Sequence, residues 1–451
     1  MKKRCRSIKL ATAILIAFTA AAAFAEDKDD PGVPLLTVNE AISLALENNR
    51  VVKNSGLEEE KYEFQLSTIR SKRLPQFRVD ILGGELLHSI DFTFPAGSFG
   101  NYPGIGPIPS TDAKINSPAV FTTYVTAGID QPILQLYKIG LGVRATELAR
   151  DIAREDVRAE QQKITAEVQE AYFNLVATYS AVDAAQEAVK TLEEAQRITA
   201  RYAVEETVLR ADVLEVEASL VNARHDLLTA ENGLATRREH LNQLLGRDLA
   251  TQFRVEPAPE DHTSDLTLET ARQKAQVNRP ENRQARLKEK QADYDRRIAK
   301  AEYIPDLSIS LRYLGMSNVE VLPDNVTSAG FYFYWEPFDW GRRKNKIQEK
   351  IKTLEQAHNG IHETESQISV EVGTKYRAWQ ESSLLLKATR ATSEAAAEQL
   401  RVISNRYKEE AALIKDLLHA QAQSSEKNYQ YQQALSSYWN ALADLRKAIG
   451  D

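Results

Sequence analysis

The strongest sign of chemistry in this sequence is a pair of histidines that lie four residues apart. His358 and His362 fall on a predicted helix, where this spacing brings two imidazoles onto one face and allows them to share a metal ion. The chain has seven scattered histidines, and no cysteine or third histidine lies near this pair to complete a zinc site. A chance pairing on a solvated helix face is therefore the better interpretation, and the sequence predicts neither a metal nor a cofactor.

Motifs that accompany catalysis are missing from the sequence. It contains no His-Glu-x-x-His, no phosphate-binding loop, no Gly-x-Ser-x-Gly and no cysteine pair. Adjacent acids such as Glu58–Glu60 and Asp29–Asp30 are typical of solvated charge and not of a catalytic dyad. The sequence therefore predicts a protein that is not an enzyme.

Composition and the N-terminal segment exclude other classes. Residues 1–25 combine a basic start, the apolar stretch Leu10–Phe18 and a small-residue end at Ala25, which predicts a secretory signal peptide. Its removal takes away Cys5, the only cysteine, so no disulfide or thiolate metal site is expected. The formal net charge, −7 for the whole chain, becomes more negative without the basic start, which argues against nucleic acid. No later segment approaches the 18 apolar residues of a membrane-spanning helix.

The sequence contains an internal duplication. The segment that opens at Leu36 is matched by one that opens at Leu266, and the Arg-Tyr pair at 201–202 is matched by another at 406–407. The spacing between matched positions shortens after Pro75, so the first repeat carries an insertion. Asp91–Pro118 accounts for it and, because it is rich in Pro, Gly and Ser, predicts a long loop.

Each repeat has the same predicted order: helix, strand, loop, strand, long helix, tight turn, helix. We predict the first repeat over residues 26–265 and the second over residues 266–451. Alternating residues predict strands at about 75–92, 119–132, 305–316 and 328–337. Apolar residues at helical spacing predict long helices at about 137–201, 208–246, 342–405 and 412–449. The fold class is therefore mainly α with a small β part.

The two periodicities differ in what they establish. Val213, Leu220 and Leu227 belong to a run that steps by seven residues, which indicates a coiled coil. The strands are about the length that a tilted membrane strand needs, and the aromatics of Phe331–Trp335 suit a membrane interface. On alternation alone, a soluble meander is the better interpretation, because membrane-strand signals are weak in each segment.

A set of motifs, repeated in order, resembles the TolC-like outer-membrane efflux and export channels over nearly the whole chain after the signal. Its carriers are Ala41…Asn48-Asn49 with Ala271…Asn278-Arg279-Pro280, the strand starts Leu74-Pro75 and Ile304-Pro305, the junctions Gln131–Ile133 and Glu336–Arg342, and the turns Arg201-Tyr202…Asp212–Leu214 and Arg406-Tyr407…Asp416–Leu418. Each turn is followed by a helix that ends in Leu-Leu-Gly or Ala-Ile-Gly.

The resemblance implies a homotrimer in the outer membrane of a Gram-negative bacterium. Its long antiparallel coiled-coil helices form an α-barrel in the periplasm, and four membrane strands per chain contribute to a twelve-stranded β-barrel. A periplasmic adaptor and an inner-membrane pump or ABC exporter are the implied partners, together with outer-membrane lipid. The implied function is a passive exit duct of a tripartite efflux pump or a type I secretion system.

The resemblance also implies roles for particular residues. The adaptor-docking tips would contain Arg201, Tyr202, Leu209, Asp212, Arg406, Tyr407 and Leu413. Asp416 would form a pore constriction, and His419, one turn further in, takes the place of a second acid of the family and would make the ring sensitive to pH. The alternative for Asp416, and equally for Asp212, is that the acid caps the returning helix. Many relatives have glycine where Glu205 and Glu410 stand here, which makes a left-handed turn residue less expected.

A second class of protein fits part of the pattern. A periplasmic coiled-coil adaptor or scaffold without a pore would explain the signal peptide and the heptads. It does not explain four alternating strands at matched places in two repeats.

Overall fold

The structure is a computed structural model, which describes residues 34–205, 208–256, 266–319, 323–409 and 411–451. The predicted signal peptide at 1–25 and Glu410 lie outside the described residues. The first repeat contains β1 (Leu35–Leu36), α1 (Val38–Asn48), α2 (Arg50–Ser71), β2 (Gln76–Glu85), β3 (Ile90–Phe94), β4 (Asn101–Tyr102), β5 (Gly106–Pro107), β6 (Ala113–Ser117), β7 (Phe121–Pro132), α3 (Gln135–Val204), α4 (Arg210–Leu244) and β8 (Arg254–Val255). The second contains α5 (Leu268–Asn278), α6 (Pro280–Ala301), β9 (Asp306–Ser317), β10 (Asn325–Tyr334), α7 (Arg342–Lys408) and α8 (Ile414–Ile449).

Two very long helices run the length of the molecule. α3 has 70 residues and α7 has 67, which makes each about 100 Å long at 1.5 Å per residue. Near the sheet, α2 packs on α3, α3 on α6 and α6 on α7, which gives the order α2-α3-α6-α7. At the far end α4 packs on α3, α3 on α8 and α8 on α7, which gives the order α4-α3-α8-α7. No described helix is long and apolar enough to cross a bilayer.

The main sheet has four antiparallel strands in the order β10-β9-β7-β2. The two strands of each repeat pair with each other, and β7 joins the repeats by pairing with β9. The predicted strand at 75–92 is too long, because β2 ends at Glu85, and the predicted strand at 328–337 is shifted, because β10 spans Asn325–Tyr334.

The insertion in the first repeat is more regular than predicted. Within Asp91–Pro118, β3 pairs with β6 and β4 pairs with β5, so the segment folds as two short ribbons. The prediction of a long loop is wrong over these strands, since most Pro and Gly residues of the segment lie in the turns between them, and Gly106–Pro107 itself forms β5.

The half-length helices meet end to end at the middle of the molecule. α4 and α8 each end before a glycine with positive φ, Gly246 (68°) and Gly450 (82°). A Cβ on Gly246 would lie 2.5 Å from the Asn48 carbonyl oxygen, and one on Gly450 would lie 2.8 Å from Cβ of Asn278. Only glycine fits so close to another backbone. α4 therefore abuts the α1–α2 junction, and α8 abuts the α5–α6 junction.

Candidate channel wall and hairpin tips

The sheet has one apolar and one polar face. The register aligns Phe77, Ile129 and Leu311 in one row, and Ile309 opposite Phe331 in another. Side chains alternate between faces along a strand, so these rows share one face. Their exposed aromatic and aliphatic side chains form a surface that suits lipid.

The opposite face carries charge. Arg78, Gly128 and Arg312 occupy one row of the three adjacent strands. Asp130 lies on the same face, where Nη2 of Arg312 is 3.5 Å from its Oδ1. An apolar face backed by a polar one is the arrangement of a strand between lipid and a water-filled lumen.

The two edge strands of the sheet, β2 and β10, have no partner on their outer side within the described residues. β2 and β10 each have one neighbour within the described residues, so each leaves a row of N–H and C=O groups open. The helical wall ends on the same two sides, because α2 leads directly into β2 and α7 follows β10. One edge of the molecule therefore consists of α2 and β2, continued by α4, and the other of α7 and β10.

Apolar side chains are exposed along both edges of the helical wall. Leu214, Val221 and Leu228 step by seven residues along α4, and each is more than half exposed. Val370 on α7 is 68% exposed. This second stripe was not predicted, although its seven-residue step is present in the sequence beside the buried stripe that contains Leu220. Two stripes of this kind fit a helix that packs against partners on two sides.

The first hairpin tip exposes apolar residues next to the Arg201-Tyr202 pair. Leu209 is 71% exposed and is the N-cap residue of α4, a position that favours Ser, Thr, Asp or Asn. Val204, at the end of α3, is 85% exposed, and Arg201 is exposed as well. Tyr202 is half-buried and its ring packs edge-on against that of Tyr407, with centroids 6.2 Å apart.

The second tip repeats this arrangement with one difference. Leu413 is the N-cap residue of α8 and is 65% exposed, and Arg406 is exposed. Tyr407, in contrast, is buried, and its hydroxyl lies 2.7 Å from Oγ1 of Thr199 on α3. Burial raises the pKa of Tyr407 above its usual value. Tyr407 thus joins the two hairpins and, in this conformation, offers little surface to a partner.

The aspartates behind the tips make the same local contact in both repeats. Asp212 Oδ2 accepts a hydrogen bond from the backbone N–H of Leu209 (3.1 Å), and Asp416 Oδ2 accepts one from Leu413 (3.3 Å). Both contacts satisfy an open N–H group at a helix start. Asp416 and His419 are both exposed, so the capping contact leaves Asp416 accessible to the solvent.

The described residues of the two tip turns have no positive φ. Glu205 follows α3 with φ −83°, and Glu409 follows α7 with φ −96°. Ala411 donates a hydrogen bond to the Arg406 carbonyl (2.8 Å). A glutamate fits a turn of this kind without strain.

Two further joints were not singled out from the sequence. Asn49 starts α2 by accepting from the N–H of Val51 (2.8 Å) and donates to the Leu244 carbonyl (2.9 Å). Arg343, near the start of α7, is buried and donates to Oδ2 of Asp339 (2.5 Å). The sequence signal for Asn49 was its place in a repeated motif, whereas Arg343 directly follows the Glu336–Arg342 motif and only its partner Asp339 lies inside it.

Comparison with known proteins agrees with this geometry. Among solved structures, the chain is similar to a membrane protein from Pseudomonas aeruginosa (18% identity, TM-score 0.73, 92% of this chain and 90% of the other). It is also similar to the CmeC outer membrane channel of Campylobacter jejuni (19%, 0.73, 92% and 85%) and to the open state of the MtrE outer membrane channel of Neisseria gonorrhoeae (22%, 0.68, 92% and 88%). A search of curated proteins finds no match.

These similarities define the class: the chain has the fold of the TolC-like outer-membrane channels, with an α-barrel part and a β-barrel part. It belongs to the outer membrane efflux protein family, whose sequence profile matches residues 41–247 and 271–451. The two matched segments correspond to the two repeats and confirm the duplication.

Proposed function

We propose that this protein is the passive exit duct of a tripartite efflux pump or a type I secretion system, assembled as a homotrimer in the outer membrane. The observation that carries the proposal is that the sheet and the helical wall are open on the same two sides. Joining β10 and α7 of one copy to β2, α2 and α4 of the next would satisfy both edges at once. Head-to-tail contacts of this kind produce a closed ring when the rotations from copy to copy add up to one full turn.

Physical chemistry requires the ring to close. An open sheet edge in lipid leaves backbone groups without hydrogen-bond partners, which costs several kcal/mol for each group. Four strands cannot close a membrane barrel, since known barrels have at least eight. Three copies would give twelve strands, the number that the family resemblance implies. The apolar face would then meet outer-membrane lipid, and the polar face would line the duct.

Assembly is tested on full-length protein purified in detergent. Chemical crosslinking should give trimers, and a planar bilayer should acquire steady conductance without any energy source. Val221→Asp on one edge and Val370→Asp on the other should each lower the trimer fraction. Ile105→Asp is the matched control, because Ile105 is exposed in the turn between β4 and β5, two strands that belong to neither edge. A wild-type protein that crosslinks only as monomer, or that never conducts, would refute the proposal.

The hairpin tips are the part of the proposal that concerns partners. Exposed leucines at two N-cap positions contribute no cap and cost solvation, so their chemistry suits a docking partner better than helix stability. We assign Leu209 and Leu413 as the main contacts to a periplasmic adaptor, with Arg201, Arg406 and the half-buried Tyr202 around them. The adaptor would connect the duct to an inner-membrane pump or ABC exporter, which supplies the energy.

The docking proposal is tested in a cell that depends on this channel for export. Leu209→Asp and Leu413→Asp should lower adaptor affinity about tenfold each, the usual effect of losing an interface anchor. Export should fall while trimer formation and membrane insertion stay normal. Export that is unchanged in the double variant would show that the adaptor binds elsewhere.

A further inference from the structure

Two imidazoles lie side by side on α7, and each has one carboxylate near its Nδ1 atom. The ring centroids of His358 and His362 are 5.3 Å apart, with the ring planes at 90°. Nδ1 of His358 lies 2.9 Å from Oε1 of Glu289 on α6, and Nδ1 of His362 lies 3.8 Å from Oε2 of Glu365. Because the ionised Glu289 carboxylate only accepts hydrogen bonds, it favours the proton on Nδ1 of His358 and leaves the Nε2 lone pair of His358 available. Metal-binding histidines are held by carboxylates in this way. The distance between His362 and Glu365 is too long for a hydrogen bond, so His362 is not held in this way.

Within one chain the two histidines are exposed to the solvent. The side chains of His358 and His362 are 60% and 69% exposed. Within the part of one chain that the structure describes, no group of three or more histidine, cysteine or acidic side chains is arranged to hold a metal ion. A further protein ligand would have to come from another copy of the chain. The direction that the pair faces and its height along the wall identify the segment that could supply it.

The pair lies on the face of α7 between the side that contacts α6 and the open edge. Each residue advances about 100° around a helix. Glu365 contacts Arg286 on α6, and Arg343 contacts Glu302 directly after α6. These contacts fix one side of α7, whereas the exposed Val370 marks the edge. His358 and His362 lie on the arc between these two sides, and His362 is the nearer to the edge. A helix of the next copy at this edge would stand within reach of the pair.

Contacts between neighbouring helices give the height of the pair. His358 is level with Glu289 on α6, and further contacts lead from α6 to α3 and from α3 to α2. These contacts are Gln284–Asp156 (2.8 Å), Arg154–Glu59 (2.9 Å) and Arg150–Glu63 (3.2 Å). Adjacent helices run antiparallel, so each contact fixes which residues of two neighbouring helices lie at the same height. Together the contacts place residues 59–63 of α2 at the height of the histidines. In a symmetric ring every copy of α2 has this height.

Only one acid in this part of α2 has the right direction. Glu59 and Glu63 face α3 through their ion pairs, and the exposed Leu57 and Phe64 mark the open edge. Glu60 projects between these sides, and a ring that joins α7 to the next α2 turns it to the same surface of the wall as the histidines. Within the described chain Glu60 is exposed and makes no hydrogen bond or ion pair.

We propose that His358 and His362 of one copy and Glu60 of the partner subunit bind one divalent transition-metal ion at each subunit boundary. This inference rests on the ring assembly proposed above. Two imidazole nitrogens, one carboxylate and a water molecule form a ligand set that suits Zn²⁺, whereas Ca²⁺ and Mg²⁺ favour oxygen ligands. Glu289 is a positioning residue, which holds His358 with Nε2 outward.

Such a site would link neighbouring subunits near the sheet end of the helical wall. A metal that binds the assembled ring and not the separated chains stabilises the ring by mass action. Zinc should therefore raise the temperature at which the trimer dissociates in detergent, and EDTA should reverse the effect.

The site is tested on untagged full-length trimer that has been stripped with EDTA and titrated with Zn²⁺ in a calorimeter. We expect one ion per chain in the wild type. His358→Gln, His362→Gln and Glu60→Gln should each weaken binding about tenfold or more, and Glu289→Gln should do so about tenfold, as is usual for a carboxylate that orients a metal-bound histidine. His225→Gln is the matched control, because His225 is an exposed histidine on α4, and it should bind zinc like the wild type.

The outcomes separate this inference from the proposed function. Crosslinking and conductance are measured in EDTA, where the ring must form without metal. A conducting trimer that binds no zinc, or whose His358→Gln variant binds it as well as the wild type, overturns the metal site and leaves the function intact. Unchanged affinity in Glu60→Gln overturns the shared site. A protein that stays monomeric overturns both proposals.

Discussion

The two repeats hold the same helix junctions with different chemistry. At the middle of the molecule, the first repeat uses the neutral amide of Asn49, which bonds the end of α4 through the Leu244 carbonyl. The second uses the guanidinium of Arg279, which donates to the Lys447 carbonyl at the end of α8 (3.3 Å) and to Glu371 on α7 (3.0 Å). Asn49 and Arg279 connect equivalent elements of the two repeats, but only Arg279 brings a charge into the joint.

At the junctions between strand and long helix, too, the second repeat uses a charged residue and the first does not. Just before α7, Asp339 accepts hydrogen bonds from the N–H groups of Gly341 and Arg343. The matching residue in the first repeat is Leu134, which gives α3 no side-chain cap. The second repeat therefore depends more on ionisation than the first, although the backbones follow one plan.

The largest loss of stability is expected from replacing Gly246, which follows α4, or Gly450, which follows α8. Gly246→Ala should cost about 3 kcal/mol per chain, because a Cβ there combines a left-handed φ with a clash against the Asn48 carbonyl. Gly450→Ala should cost less, about 2 kcal/mol, because its shortest contacts are somewhat longer. Urea unfolding in detergent measures both. Equal losses would show that the two joints are equally tight.

The second-largest loss of stability is expected from removing the side chain that hydrogen-bonds across each joint, Arg279 or Asn49. Arg279→Met should cost about 2 kcal/mol, less than a fully buried pair would, because Glu281 and Glu371 are each more than a third exposed. Asn49→Ala should cost about 1 kcal/mol through the lost N-cap. The order of the two urea midpoints checks this, and a larger loss in Asn49→Ala would contradict the greater role of charge in the second repeat.

Acid should weaken the second junction and not the first. The hydrogen bond from Arg343 is the main cause that lowers the pKa of Asp339 below its usual value near 4. A carboxyl with a lowered folded pKa stabilises the protein above its unfolded pKa, and this stability is lost as pH falls through the folded value.

The measurement compares wild type with Asp339→Asn. The wild type should lose heat stability between about pH 4 and lower values, and the variant should lose less over that range. Leu134→Asn is the control, since Leu134 does not titrate and the variant should follow the wild-type pH dependence. Parallel curves for wild type and Asp339→Asn would remove Asp339 as the acid-sensitive group.

The smallest effect on stability is expected at the tip aspartates, which should still differ in conduction. Asp212→Ala and Asp416→Ala should each cost about 1 kcal/mol or less, because each loses one cap contact. Only Asp416→Ala should abolish block by divalent cations added on the periplasmic side and reduce cation selectivity in a planar bilayer, as expected of an acidic ring. Block that survives in an intact trimer would leave Asp416 as a cap and put the constriction elsewhere.

Much of the fold followed from patterns that are local in the sequence. The seven-residue step through Leu220 and Leu227 predicted the long helix pair, and alternation around Phe77 predicted a strand, because these periods report which face of one element is buried. The insertion was predicted less well, because its pairing of β3 with β6 depends on turns and not on a periodic pattern. Motif order was enough to identify the family.

The sequence by itself thus determined the duplication, the helices, the position of the tips and the family, since each is written in the spacing of residues along one element. The tertiary structure alone decided that Tyr407 is buried against Thr199, that Val221 and Val370 are exposed on two open edges, and that His358 is held by Glu289. Each of these depends on two segments that are distant in the sequence, and on which side of a helix meets its neighbour. No local period contains that information, because it arises only when the helices and strands pack together.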